Sequence, residues 1–273
     1  MAHLYIKTFS NSSDMKRKEI TLDERKQIQL DMLKEIDAFC RANNIRYSLA
    51  FGTLLGAVRH KGFIPWDDDV DIMMPYPDMM KFKELFKSQT LKYTDVDTDN
   101  HYYFPFSRVV NTATFSKRGL FLHEDGINID LYPVISVPDD EEGMGKFFSK
   151  AQILMSQRRK MIKWDNKLSH FLPFHSIPKL NKVVKEERDF MVGTVPFGTT
   201  NKYYVLAGRI RTRKKRLFDY NIFDEITDLP FEGHNFMVMG QYIEFLEKSY
   251  GDYMQLPPEK ERHPYHGGHY FWR

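Results

Sequence analysis

The stretch Phe51-Gly52-Thr53-Leu54-Leu55-Gly56-Ala57-Val58-Arg59-His60-Lys61-Gly62-Phe63-Ile64-Pro65-Trp66-Asp67-Asp68-Asp69-Val70-Asp71-Ile72 closes with four aspartates in five positions. Carboxylates crowded beside Trp66, Val70 and Ile72 repel one another and resist burial unless a cation neutralises them. An all-carboxylate donor set suits a hard divalent ion such as Mg²⁺. A glycine-bearing turn that opens a helix is a ready partner for phosphate. The combination points to metal-dependent phosphoryl chemistry.

Upstream, Thr21-Leu22-Asp23-Glu24 has the form of a capping box, which predicts a helix start. Ile28, Met32, Leu33, Ile36, Phe39 and Cys40 share one face at helical spacing, so this helix packs on a core. Ile45 to Phe51 reads as a strand and Leu54 to Arg59 as a short helix, broken by Lys61-Gly62. Val70 to Met74 reads as a second strand, stopped by Pro75. Alternation then puts Asp69 and Asp71 on one strand face and Asp68 on the other, with Asp67 as support or cap.

Downstream, Pro77 opens a helix with Met79, Phe82, Leu85 and Phe86 as its stripe. Tyr102 to Val110 and Ile127 to Tyr132 read as strands, the second bounded by Gly126 and Pro133 and carrying Asp130 between Ile129 and Leu131. Helices are predicted over Gly143 to Trp164, roughly Lys179 to Met191, and Gly240 to Tyr250. These elements predict an α+β fold, a mixed sheet flanked by helices with additional C-terminal helices. Residues 1–20 read as a flexible tail, 21–260 as the catalytic domain with helical insertions at about 140–225, and 261–273 as a C-terminal tail.

The chain has 273 residues, 42% of them hydrophobic, enough for a sizeable core. A net charge of +3 names no polyanionic partner, and no nucleic-acid motif is present, so nucleic acid is not expected. The single cysteine, Cys40, excludes an internal disulfide and fits a reducing cytoplasm. Met1 to Lys18 lacks the apolar core of a signal peptide, and no apolar run is long enough to span a bilayer. Any membrane contact is therefore expected to be peripheral.

Asp69 and Asp71 from one strand and Asp130 from a neighbour are the expected metal cradle and catalytic set, with Gly52 and Thr53 offering backbone N–H groups and a hydroxyl to a phosphate. An EF-hand is excluded, because the glycine and distal glutamate that it needs are misplaced. Arg59, His60 and Lys61 lie between the turn and the acids, where arginine can pair with phosphate. Arg108 is a charge inside an apolar strand and so needs a partner, a phosphate or one of the aspartates.

Gly52 to Ile72 resembles the signature of the LicD family, within the polymerase-beta-like nucleotidyltransferase superfamily; fukutin-related proteins have a similar motif. The resemblance continues in Asn128-Ile129-Asp130-Leu131-Tyr132-Pro133, in Phe231-Glu232-Gly233, and in Tyr250-Gly251-Asp252-Tyr253-Met254-Gln255-Leu256-Pro257-Pro258. It gives little support over 135–225. It implies a nucleotidyltransferase-like fold and Mg²⁺-dependent transfer of phosphocholine from CDP-choline to a hydroxyl of a cell-surface glycan. That acceptor would be a teichoic acid precursor or a lipopolysaccharide sugar, carried on a lipid at the inner face of the membrane. Asp69 and Asp71 would hold one or two Mg²⁺ ions on the donor diphosphate, and Asp130 would be a ligand or the base. A nucleotidyltransferase, a CDP-alditol phosphotransferase and a non-enzymatic glycan-pathway partner are the alternatives.

Choline needs aromatic faces, and Trp66, beside the acids, is the first candidate, ahead of Tyr102, Tyr103, Phe104 and Trp164. The run Arg209 to Arg216 has six basic residues in eight and reads as a solvated loop or as a contact for the donor diphosphate, an anionic acceptor or the inner leaflet. His263, His266 and His269 have zinc-like spacing, but Pro264 and Gly267-Gly268 favour a tail. Cys40 is expected to be a buried small hydrophobe.

Overall fold

A computed structural model describes residues 18–116, 126–168, 177–207, 214–264 and 268–273. In chain order the strands are β1 (Glu19–Ile20), β2 (Ser48–Leu49), β3 (Asp71–Pro75), β4 (Leu91–Thr94), β5 (Ser107–Asn111), β6 (Thr114–Ser116), β7 (Asn128–Val137), β8 (Lys202–Val205), β9 (Leu217–Phe218), β10 (Ile226–Phe231), β11 (His234–Met239) and β12 (Tyr270–Trp272). The helices are α1 (Leu22–Ala42), α2 (Phe51–Arg59), α3 (Tyr76–Leu85), α4 (Glu141–Leu168), α5 (Ile177–Gly193) and α6 (Tyr242–Tyr250).

The main sheet runs β2-β3-β7-β5-β4, with β8 and β9 continuing from β7. β3 and β7 are parallel, and the other pairs are antiparallel. This mixed sheet flanked by helices is the expected α+β, nucleotidyltransferase-like architecture. β7 is the organising strand. Its first half pairs with β5, from Asn128 to Leu131, and its second half with β8, from Val134 to Val137. Pro133 was expected to end this strand. It sits instead where one partner hands over to the other, so its missing N–H breaks no ladder there, and its carbonyl accepts from Leu206 N at 2.9 Å.

α1 starts at the expected capping box: Glu24 N donates to Thr21 Oγ1 and Thr21 N to Glu24 Oε2. Its buried face holds Leu33, Ile36 and Cys40, each fully buried, and also two polar residues, Arg25 and Gln29. Gln29 Nε2 donates to Asn128 O at 3.2 Å, which ties α1 to the first residue of β7. α3 carries Pro77 in its first turn, as expected.

Three expectations shift. The strand predicted over Ile45 to Phe51 shrinks to β2, because α2 already begins at Phe51, two residues past Leu49. The strand predicted over Tyr102 to Val110 starts only at Ser107, since Tyr102, Phe104 and Phe106 pack ring to ring ahead of β5. The termini were expected as tails. Yet β12 is the middle strand of a small sheet, β1-β12-β6, that pairs Glu19 with Phe271 and Tyr270 with Ser116. Tyr270 is buried, and Arg25 stacks on its ring at 4.5 Å.

The β10–β11 hairpin turns on Glu232 and Gly233, both at positive φ, 48° and 75°, as a two-residue hairpin turn demands. Glu232 N donates to Lys61 O, and Glu232 Oε1 accepts from Phe63 N, each at 2.9 Å. The hairpin thereby latches the turn that leads into the acidic segment. On the other side, Lys26 Nζ donates to the carbonyls of Ile64 and Pro65.

Candidate active site

The parallel pairing of β3 with β7 puts Asp71 and Asp130 in register on adjacent strands. Asp71 is the first residue of β3. Its carbonyl accepts from Ala50 N at 2.9 Å, and its N–H donates to Thr53 Oγ1 at 2.9 Å. Thr53, expected to offer its hydroxyl to a phosphate, is buried and fixes the backbone of Asp71 instead. Asp69 was expected on the same strand face as Asp71. It lies two residues before the strand, in the segment Asp67 to Val70, because regular pairing with β7 begins only where Val70 O accepts from Asp130 N.

The four clustered aspartates have different surroundings. Asp68 was expected to point away, but this segment precedes the regular strand and its carboxylate stays with its neighbours, taking Arg25 Nη1 at 3.3 Å with both side chains almost fully buried. Asp67 turns toward Gly52: a Cβ on Gly52 would lie 2.5 Å from Asp67 Oδ2. Carboxylate oxygens of Asp67, Asp68 and Asp69 all lie within 4.8 Å of one another. Burial pushes the Asp67 carboxyl up to about 7, helped by the charge of Asp69 beside it. Asp71 is pushed well above the ordinary carboxylate range, by burial first and then by the charges of Asp69, Asp130 and Asp67. Its Oδ1 is buried without a hydrogen-bond partner among the described residues.

Asp130 is different again. Its oxygens accept from Arg108 Nε at 2.6 Å, Asn128 Nδ2 at 2.8 Å, Tyr132 Oη at 3.3 Å and Arg108 Nη2 at 3.4 Å. β5 places Arg108 opposite Asp130 on β7, so register dictates this pair. Arg108 therefore found its expected partner in an aspartate rather than in a phosphate. Arg59, the other candidate for phosphate, donates through Nη1 to the carbonyls of Tyr253 and Gln255 at 2.8 and 3.3 Å. It pins the C-terminal segment against α2. Trp66 is half-buried, edge-on to His60, with Arg262 5.6 Å from its ring centre.

Behind the acids runs a ladder of aromatic rings. Phe104, Phe106, Tyr132, Phe51 and Phe245 follow one another at centroid spacings of 5.0, 4.6, 5.2 and 5.9 Å. Burial, reinforced by the charge of Asp71, pushes the Tyr132 hydroxyl well up. Tyr250, at the end of α6, is also pushed up, by burial and by Asp71, Asp67 and Asp69, which places it in their field. A cavity of about 400 Å³ opens beside it, lined by Leu55, Arg59, Ile64, Trp66, Tyr253 and Pro257 among others. Sequence reading did not assign Glu232, Tyr132 or Tyr250. They stand in segments that carried the resemblance, which was the available signal.

The side chain of Trp164, residues 209–213 and His266 lie outside the described residues. His269 contacts Glu19 at 2.5 Å beside β12, and His263 is exposed. Cys40 is a free, buried thiol, as expected.

An all-oxygen acid cluster fits a hard cation. Asp71 Oδ1 is a buried acceptor with no donor, and burial and neighbouring negative charge raise both Asp67 and Asp71, so a divalent ion would satisfy that oxygen and offset the repulsion. A mixed sheet that brings carboxylates from two parallel strands to the start of a helix defines a nucleotidyltransferase-type site. Residues 44–185, over half of the chain, match the LicD/FKTN/FKRP nucleotidyltransferase domain, and the chain belongs to that family. It is 28% identical over 266 residues to the lipopolysaccharide cholinephosphotransferase LicD of Haemophilus influenzae, a match covering 91% of this chain and 97% of that one. Two uncharacterised rickettsial proteins match shorter parts. That of Rickettsia typhi is 40% identical over 27% of this chain and 24% of its own, and that of Rickettsia prowazekii 37% over 30% and 32%.

Proposed function

We propose that this protein transfers phosphocholine from CDP-choline to a hydroxyl of a cell-surface glycan, a lipopolysaccharide sugar or a teichoic acid precursor, and releases CMP. The observation that carries this reading is the end-to-end similarity to a lipopolysaccharide cholinephosphotransferase, joined to a buried acid set of the kind that phosphoryl transfer uses. In this reading Asp69 and Asp71 hold Mg²⁺, with Asp67 beside them, and Asp130 completes the set. When bound, the ion supplies positive charge to the donor diphosphate.

The acceptor hydroxyl oxygen bonds to the phosphorus that bears choline, the bridging P–O bond to CMP breaks, and CMP leaves with that electron pair. Asp130 takes the hydroxyl proton. Its bonds from Arg108, Asn128 and Tyr132 hold it in one rotamer as an orienting acceptor for the hydroxyl. Gly52 lets Asp67 close on the start of α2, and Thr53 sets Asp71. The aromatic ladder offers ring faces to a quaternary ammonium. No helix among the described residues is long and apolar enough to cross a membrane, so a lipid-linked acceptor would be met at the membrane surface.

The test incubates the protein with choline-labelled CDP-choline, Mg²⁺ and lipopolysaccharide or teichoic acid acceptor. Equal release of CMP and transfer of label to the glycan is expected. Turnover of another CDP conjugate or a nucleoside triphosphate, with CDP-choline inert, would overturn the choline assignment.

A further inference from the structure

Beyond Arg25, which holds Asp68, three arginines lie close to the acid set, and two of them are committed. Arg108 is bound to Asp130, and Arg59 to backbone carbonyls. The third is Arg216, the last residue of the basic run. β8 fixes its backbone, since Val205 N donates to Arg216 O at 3.0 Å. Its side chain turns inward, gives one Nη1 bond to Ala207 O, and lies with Cζ 5.1 Å from the centre of the Phe51 ring. Phe51 is the first residue of α2, immediately before Gly52-Thr53, and no side chain caps that helix start. One ring further on is Tyr132, 5.2 Å from Phe51 and bonded to Asp130.

The guanidinium thus packs on the ring of the first residue of α2, near enough to Tyr132 and Tyr250 to interact with them electrostatically. It makes no ion pair with any described carboxylate. Burial lowers its pKa, although the negative field of Asp71 reaches it. A partly buried cation with one carbonyl partner is incompletely compensated, and its remaining N–H groups form a fork that fits a phosphate. The guanidinium packs on the first residue of α2, and Asp67 of the acid set closes on the next, Gly52, so cation, helix start and acids are neighbours.

We infer that Arg216 is the protein's diphosphate-binding arginine: it takes the phosphate oxygens of a nucleoside diphosphate ester beside the Asp69–Asp71 cluster. This rests on the phosphoryl-transfer reading of that cluster, but not on choline. A purely structural Arg216 would pack on Phe51 and do no more.

The experiment titrates magnesium pyrophosphate into wild type, Arg216→Lys and Arg216→Ala by calorimetry, and follows CDP-choline turnover in parallel. Wild type is expected to bind. Arg216→Ala should lose affinity by about 30-fold, the scale of a charge-assisted pair, with an unchanged thermal midpoint, and millimolar guanidinium should restore part of the binding. Arg216→Lys should recover less than the guanidinium-filled alanine variant, since a point charge lacks the fork. Binding of pyrophosphate that is equal in all three proteins, or absent in wild type, would overturn the inference, as would a loss that follows a fallen midpoint and resists guanidinium. If wild type ignores CDP-choline yet binds pyrophosphate through Arg216, the donor assignment falls and Arg216 stands.

Discussion

Arg158 on α4 and Glu187 on α5 form a buried ion pair at 2.7 Å, with side chains 7% and 1% exposed. The acid cluster at the head of β3 buries charge as well, but unequally. Asp68 and Asp130 each have an arginine, whereas Asp67 and Asp71 sit where burial and neighbouring carboxylates oppose ionisation. The helical pair is balanced and asks nothing of a ligand. The cluster is balanced only in part, and the remainder faces the start of α2. The contrast separates charge that holds the fold together from charge kept for a visitor.

The contrast can be attacked at several points. The largest effect is expected at Asp71→Asn, which keeps the shape and removes the charge. Turnover should fall by roughly 1000-fold or more, on the scale of losing a group that acts in the transition state. The fold in chelator should be as stable as wild type or more so, as measured by thermal melting. Near-normal turnover would end the assignment. Gly52→Ala is next. Its Cβ would collide with Asp67 Oδ2 and push that carboxylate aside. A displacement of that size should cost about 100-fold in kcat/KM, read in steady-state assays.

At the other pole, Arg158→Ala should destabilise the protein by about 3–5 kcal/mol by leaving Glu187 buried and unpaired. Replacing both members with Met and Leu should restore most of that stability. Activity per folded molecule should not change in either variant, which denaturant melts and active-fraction kinetics can check. The smallest effect is on pH. The folded-state pKa of Asp67 is raised from 3.8 to about 7, so the folded protein binds the extra proton between those values. In chelator, stability should therefore decline as pH rises from about 4 to 7 and stay reduced above that. Mg²⁺ should flatten the slope, and Asp67→Asn should remove Asp67's share of it. A shift of a few degrees in the melting midpoint is the expected scale.

Much of this site was legible in the sequence because its signals are local. The aspartate run, the Gly52-Thr53 turn and the lone Asp130 between Ile129 and Leu131 each announce themselves within a few residues. Alternation misplaced Asp68, whose carboxylate stays within 4.8 Å of those of Asp67 and Asp69, because residues 67–70 precede the regular strand. Less visible were relations fixed by long-range pairing. Nothing near Pro133 reveals that β7 changes partners there, and a three-residue strand such as β12 has too little periodicity to read. Arg59 and Arg108 looked like phosphate ligands because composition shows a charge but not its partner. Glu232 drew no assignment beyond the resemblance, because its hold on Phe63 N exists only once the hairpin folds over α2.

The small β1-β12-β6 sheet has a consequence in time. It joins residues 250 positions apart in contacts such as His269 with Glu19. Closing so long a loop is entropically costly and slow, so such pairings tend to form after local structure. Arg25, which neutralises Asp68, rests on the ring of Tyr270 in that sheet. The counter-charge on one side of the acid cluster is thus seated by a contact between residues 245 positions apart. Refolding followed by two clocks, helix content and pyrophosphate binding, should show the second lagging the first: the molecule acquires its shape before it acquires its chemistry.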